Sequence, residues 1–98
     1  MNKNYHQLCK LFAAIQNVKE ADRLIRDLFT PQEIKVLTER WQIIQELAKG
    51  TSQRKVAKKL NVSISTITRG STTLKYGTKG FSHFLRKLQK PTPQIPKI

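Results

Sequence analysis

Residues 52–75 constrain this chain more than any other stretch. Val56, Ala57 and Leu60 fall on one helical face, and Ile64, Ile67 and Leu74 repeat the pattern after Asn61-Val62-Ser63. Thr51 or Ser52 is placed to cap a first helix over 53–60, and Ser63 to cap a second over 64–74. Val62 serves as an apolar plug between the two, while Lys55, Lys58 and Lys59 are expected to project outward. Two short helices on a tight turn, with cations on the faces that packing leaves free, have the form of a helix-turn-helix. Such a unit lays its second helix in the major groove of DNA.

The charge agrees with that form. The 98 residues carry a formal charge of +13, from 19 Lys and Arg against 6 Asp and Glu. Residues 1–50 hold eight basic and all six acidic side chains; residues 51–98 hold eleven basic and none acidic. A half-chain so biased calls for an anionic partner, and nucleic acid is the commonest. A membrane surface is the rival, but a membrane-lying helix needs one broad apolar face beside its basic one. The basic half alternates short helices with polar turns instead. The longest apolar run, Leu11 to Ile15, is far too short to span a bilayer, and the reading is cytoplasmic with no membrane partner. Cys9 is the only cysteine, so no internal disulfide forms, and with His6 it supplies two ligands where a structural zinc needs four. No Ser-His-Asp or Cys-His arrangement and no Gly-rich phosphate loop is present, which argues against an enzyme.

Every other signal is helical. Leu8, Leu11, Phe12 and Ile15 make one stripe over 4–17, and Ala21, Leu24, Ile25 and Leu28 another over 18–28. Thr30-Pro31-Gln32-Glu33 is a helix start: Thr30 caps, Pro31 fits the first turn, and Glu33 reaches back in a capping box. This helix should run to Lys49, with Gly50 in the left-handed stop position. Its apolar residues form two rows, Ile34, Leu37, Trp41, Ile44 and Ala48, and Val36, Ile43 and Leu47. A helix apolar on so much of its circumference needs cover on several sides, and a second subunit is the simplest source. A last helix over 78–89 places Phe81, Phe84, Leu85 and Leu88 at core spacing, and Pro91, Pro93 and Pro96 make 91–98 an extended tail. The whole is read as one all-helical domain over 1–90, with dimerisation-core helices over 4–50 and the helix-turn-helix over 51–75.

The chain resembles the trp repressor family, and the match is good from Leu28 to Leu88. It is closest in Leu28-Phe29-Thr30-Pro31-Gln32-Glu33, in Ser52-Gln53-Arg54, and above all in Thr66-Ile67-Thr68-Arg69-Gly70-Ser71. Glycine inside a helix costs about 1 kcal/mol relative to alanine, so Arg-Gly-Ser in a reading helix is otherwise odd, and that misfit makes the match specific. The resemblance implies a six-helix, intertwined homodimer that represses transcription of tryptophan biosynthesis or salvage genes when L-tryptophan binds as corepressor. It implies no other cofactor. Arg40 and Arg69 would sandwich the indole, Arg69 also holding the carboxylate, and guanidinium planes do stack well on indole. Gly70 would give the ring room, and Thr73, where the family commonly has Ser, would lie near the amine. Thr30 and the backbone carbonyls of Asp27 to Phe29, from the second subunit, would receive the ammonium; Phe29 departs from the family's usual Leu.

For operator DNA, Arg54 matches a residue that reaches guanine, a common bidentate pairing. Gln53, Ile64, Ser65, Thr66, Thr68 and Lys75 match phosphate or base-edge positions. Thr51-Ser52 is one residue shorter than the family's loop, the N-terminal arm is short, and the match before Leu24 is weak. Two other readings stay open at this point. One is a helix-turn-helix protein of the same fold that binds DNA without a ligand. The other is an RNA-binding module, disfavoured because A-form major grooves are too narrow for a helix.

Overall fold

The computed structural model describes residues 1–89, as six α-helices: α1 Lys3–Ala13, α2 Val18–Leu28, α3 Pro31–Ala48, α4 Gln53–Leu60, α5 Ile64–Tyr76 and α6 Gly80–Gln89. Among the described residues there is no strand, and the all-α class expected from periodicity is the one adopted. The expected tail over 91–98 lies outside the described residues. Two compact units divide the chain, Met1–Val36 and the part from Leu37 onward, with α3 running through the boundary.

In the first unit each helix start is a side-chain cap. Asn2 accepts from the amides of Asn4 and Tyr5 to start α1. The stripe over 4–17 predicted a longer α1, but the helix stops at Ala13 because Asn17 is committed to the next one. Its Oδ1 accepts from the Glu20 amide at 2.9 Å, and Glu20 reaches back to the amide of Gln16 at 3.0 Å. Thr30 and Glu33 form the anticipated capping box: the Glu33 amide donates to Thr30 Oγ1 at 3.1 Å and the Thr30 amide to Glu33 Oε1 at 2.9 Å. Substituting such a cap costs about 1 kcal/mol. Arg26 and Asp22 pair across one turn of α2 at 2.7 Å.

The second unit holds the buried core. Ile43, Val56 and Ile67, one each from α3, α4 and α5, form a cluster against which Leu47, Ala57, Leu60 and Val62 pack. Ile44 is also fully buried. Burying a side chain of this kind contributes about 2 kcal/mol, so this core is small. The N-terminal half of α3 departs from the picture of a helix covered all round: Val36 and Leu37 are exposed, as is Ala48 near its end. Of the apolar residues of α6, Phe81 and Leu85 are half-buried, while Phe84 and Leu88, placed at core spacing by the sequence, are exposed because no described element of the same chain lies over them.

Three described residues are left-handed, Gly50, Asn61 and Lys79, and the first two shape the turns on either side of α4. α3 closes with a Schellman motif: Gly50 has φ +94°, its amide donates to the Leu47 carbonyl at 3.0 Å, and the Thr51 amide donates to the Glu46 carbonyl at 3.2 Å. A positive φ is cheap only without a Cβ, which is why glycine stands there. After α4, Asn61 takes φ 56°, the residue type other than glycine that tolerates this region best, and the Val62 amide reaches back to Ala57 at 3.0 Å. Val62 is thereby turned into the cluster, as the plug reading required.

Candidate nucleic-acid interface

α4 and α5 pack through Val56 and Ile67 and present their remaining faces outward. Ser52 rather than Thr51 caps α4, accepting from the Lys55 amide at 3.3 Å. Ser63 caps α5, accepting from the Thr66 amide at 3.2 Å, and its hydroxyl also bonds Ser65 Oγ at 3.1 Å and Thr66 Oγ1 at 2.8 Å. Three hydroxyls therefore gather at the start of the second helix. That end carries unpaired amides and the positive pole of the helix, where an anionic oxygen is favoured.

Of the residues assigned to DNA, Arg54, Ile64, Ser65, Thr66, Thr68 and Lys75 are all exposed, and Gln53 is half-buried. Ile64 had been given two tasks, packing and DNA contact; at 49% exposure it is not a packing residue. The reason is geometric, since Ile67 fills the contact with α4 and Ile64 lies a turn earlier, beyond the cluster. The structure joins two of the assigned residues directly. Thr68 Oγ1 donates to Gln53 Oε1 at 3.1 Å, which leaves the Gln53 amide hydrogens free to donate elsewhere. α5 extends beyond its anticipated end at Leu74 to Tyr76 and stops at Gly77, so Lys75 lies in its last turn.

The residues that the resemblance implies for a ligand fall into two groups, one in each unit. Arg40, Arg69, Gly70 and Thr73 belong to the second unit, and Asp27, Phe29 and Thr30 to the first. Arg40 and Arg69 are exposed, and among the described residues neither is in an ion pair. Gly70 has a clear physical reason. An ideal Cβ on it would stand 3.1 Å from Ile43 Cγ2 and 3.7 Å from Ile44 Cδ1, so its absence lets α5 close on α3. Thr73 donates its hydroxyl to the Arg69 carbonyl at 3.1 Å and keeps its lone pairs for a donor from outside. At the end of α2 the Phe29 amide takes the Ile25 carbonyl, and Pro31 has no amide to offer Asp27. Among the described residues no hydrogen bond reaches the Asp27 and Leu28 carbonyls, which stand at the negative pole of the helix, where a cation is favoured. A groove of about 430 Å³ in the same unit is lined by Asp22, Ile25, Arg26, Phe29, Pro31 and Ile34.

Sequence reasoning missed Glu46. Its carboxylate accepts Thr51 Oγ1 at 3.2 Å and meets Lys59 Nζ at 3.0 Å, with Lys49 Nζ at 3.6 Å. The Lys59 hydrogen bond, helped by Thr51 and Lys49 and opposed by desolvation, holds this carboxyl below the usual carboxylate range. Lys59 is thus not wholly given to the outside, as its place on the basic face suggested. The signal available was position, since Glu46 is the last acidic residue in the chain.

Comparison with known proteins gives a consistent result. The sequence matches the family described as Trp repressor protein over residues 3–89. A Trp operon repressor homolog of Vibrio parahaemolyticus is 34% identical, over 97% of this chain and 93% of its own length. One of Vibrio campbellii is 40% identical over 74% of each chain, and one of Chlamydia trachomatis 36% identical over 78% of this chain and 86% of its own. Among solved structures, a TrpR like protein from Eubacterium eligens superposes with a TM-score of 0.82 at 24% identity, covering 98% of this chain and 95% of that one, and shares the fold. With a family match over residues 3–89, six helices in a fold shared with a TrpR like protein, and relatives at 34–40% identity, the chain belongs to the Trp repressor family, a family of transcriptional repressors.

Proposed function

We propose that the chain is a homodimeric, cytoplasmic repressor that L-tryptophan activates to bind a palindromic operator, controlling tryptophan biosynthesis or salvage genes. The observation that carries this reading is the α4–α5 pair. Its outer face bears Arg54, Ser65, Thr66, Thr68 and Lys75, all exposed, in a half-chain without a carboxylate. Arg54 reads a guanine, Gln53 and the hydroxyls at the head of α5 take phosphates, and Ile64 and Thr68 lie at base edges. Two such heads related by two-fold symmetry meet half-sites about one helical turn apart.

Dimerisation is supported by apolar surface that a single chain leaves uncovered. Tyr5, Leu8, Leu11 and Phe12 on α1, Leu28 on α2, Val36 and Leu37 on α3, and Phe84 and Leu88 on α6 are all exposed. Among the described residues no helix is long and apolar enough to cross a membrane.

For the ligand, Arg40 and Arg69 stack on the indole, with Arg69 also meeting the carboxylate. Gly70 and Thr73 lie beside it on α5. The ammonium is taken by Thr73's lone pairs and, from the second copy, by Thr30 and the open carbonyls of Asp27 to Phe29. L-tryptophan acts through its higher affinity for the DNA-competent arrangement of the heads. Coupling of that kind is reciprocal, so operator DNA must tighten tryptophan binding by the same factor. The test is a calorimetric titration of tryptophan with and without an operator selected from random duplexes. Equal affinities would leave a DNA-binding protein of the same fold that needs no ligand.

A further inference from the structure

We infer that Glu46 is a positioning residue that clasps the reading head to α3 and orders it before any ligand arrives. The inference rests on the DNA-reading role proposed above and deepens it. Five contacts converge on this one residue. Its backbone carbonyl accepts the Lys49 and Thr51 amides, each at 3.2 Å, and so closes α3. One carboxylate oxygen takes the Thr51 hydroxyl at 3.2 Å, and the other takes the Lys59 ammonium at 3.0 Å with that of Lys49 at 3.6 Å. Thr51 belongs to the linker, and Lys59 to the last turn of α4. One side chain thus holds both the start of the connection and the far end of the first reading helix.

Between those two points the linker contains only Ser52 before α4 begins, and Gly50 just ahead of it turns the chain through the left-handed region. A short link beside a left-handed glycine sets the position of α4 weakly by itself. Two side-chain bonds at opposite ends of α4, made to one carboxylate that is 13% exposed, remove that freedom. α4 carries Arg54 and, through Gln53, the bond to Thr68 on α5, so fixing α4 fixes the face that meets DNA. Glu46 acts through α4 and touches no base or phosphate. Its effect is therefore largest in the ligand-free protein, where the Ile43–Val56–Ile67 cluster is the other tie between α3 and the head.

The experiment uses the full chain. Amide hydrogen exchange and affinity for duplex DNA, with and without saturating L-tryptophan, are measured for the parent, Glu46→Gln, Lys59→Gln and the exchanged pair Glu46→Lys with Lys59→Glu. Glu46→Gln and Lys59→Gln should speed exchange across α4 and α5 about two- to fivefold while leaving α2 unchanged. Ligand-free DNA affinity should fall more than tryptophan-saturated affinity, so the ratio of the two rises. The exchanged pair should recover part of the lost protection, since it restores the ion pair between positions 46 and 59 but not the acceptor for the Thr51 hydroxyl. Unchanged exchange in both single variants, an equal fall of both affinities, or no rescue by the exchanged pair would overturn the clasp. A parent protein that binds no duplex DNA would instead overturn the DNA-reading role, and the exchange rates would still decide the clasp.

Discussion

The Cβ that Gly70 lacks would stand 3.1 Å from Cγ2 of Ile43, a side chain only 2% exposed at the centre of the buried cluster. Gly70→Ala gains about 1 kcal/mol of helix propensity. It also presses a methyl group into a neighbour with nowhere to go, a misfit that costs about 1–3 kcal/mol. The expected outcome is a protein less stable by about 1 kcal/mol. Chemical denaturation of Gly70→Ala, Ile43→Ala and the double variant checks it. The double should lose less than the two singles together, because Ile43→Ala removes the colliding methyl.

Arg54 and Lys58 should separate sequence reading from general attraction. Arg54→Ala is expected to lose about 1–3 kcal/mol on a selected operator and little on random duplex. Lys58→Ala should weaken both alike and reduce the slope of log affinity against log salt by about one. Fluorescence anisotropy across a salt series measures both, and parallel behaviour of the two variants would remove Arg54 from the reading set.

Arg69 carries a sharper expectation than any other cation on α5. Among the described residues it is in no ion pair, so nothing within them competes for its guanidinium. Replacement by alanine should weaken tryptophan-dependent DNA binding by tenfold or more, or about 1.4 kcal/mol, and ligand-free binding much less. An equal loss in both would make Arg69 a phosphate contact.

Glu46 also gives the fold an acid dependence with a definite sign. Its carboxyl is held below the ordinary value of 4.5, so the folded state binds its proton less readily than the unfolded chain. The stability that follows is fully present above that ordinary value and is lost as pH falls through the lowered one. Denaturation midpoints taken from about pH 6 to about pH 3 should fall more steeply in the parent than in Glu46→Gln. Parallel curves would mean that the carboxylate's partners contribute nothing net.

Local chemistry explains how much could be read beforehand. Thr30-Pro31-Gln32-Glu33, Ser63 and Gly50 each determine their own backbone through a hydrogen bond or a φ angle that lies within a few residues, and each was legible as such. The limits of α2 and α4 followed from the same signals. The end of α1 was misjudged because an apolar stripe does not register that Asn17 serves the following helix. Phe84 and Leu88 were misplaced for a related reason: periodicity identifies a face to be covered, but not which chain covers it. The Gly70 contact with Ile43 and the Thr68 bond to Gln53 join residues far apart in sequence, and only the packing of α3, α4 and α5 brings them together.

After Glu46 the chain runs to Ile98 without another Asp or Glu. Where charges of both signs are interspersed, a neighbouring carboxylate can take over when an ion pair loses its acid. Among the described residues no second carboxylate meets Lys49 or Lys59: the two share a single counter-charge, and downstream of Glu46 stand twelve cations with no acid among them. A composition that suits the surface to DNA thus removes redundancy from the joint that carries it, and one codon at position 46 holds the margin.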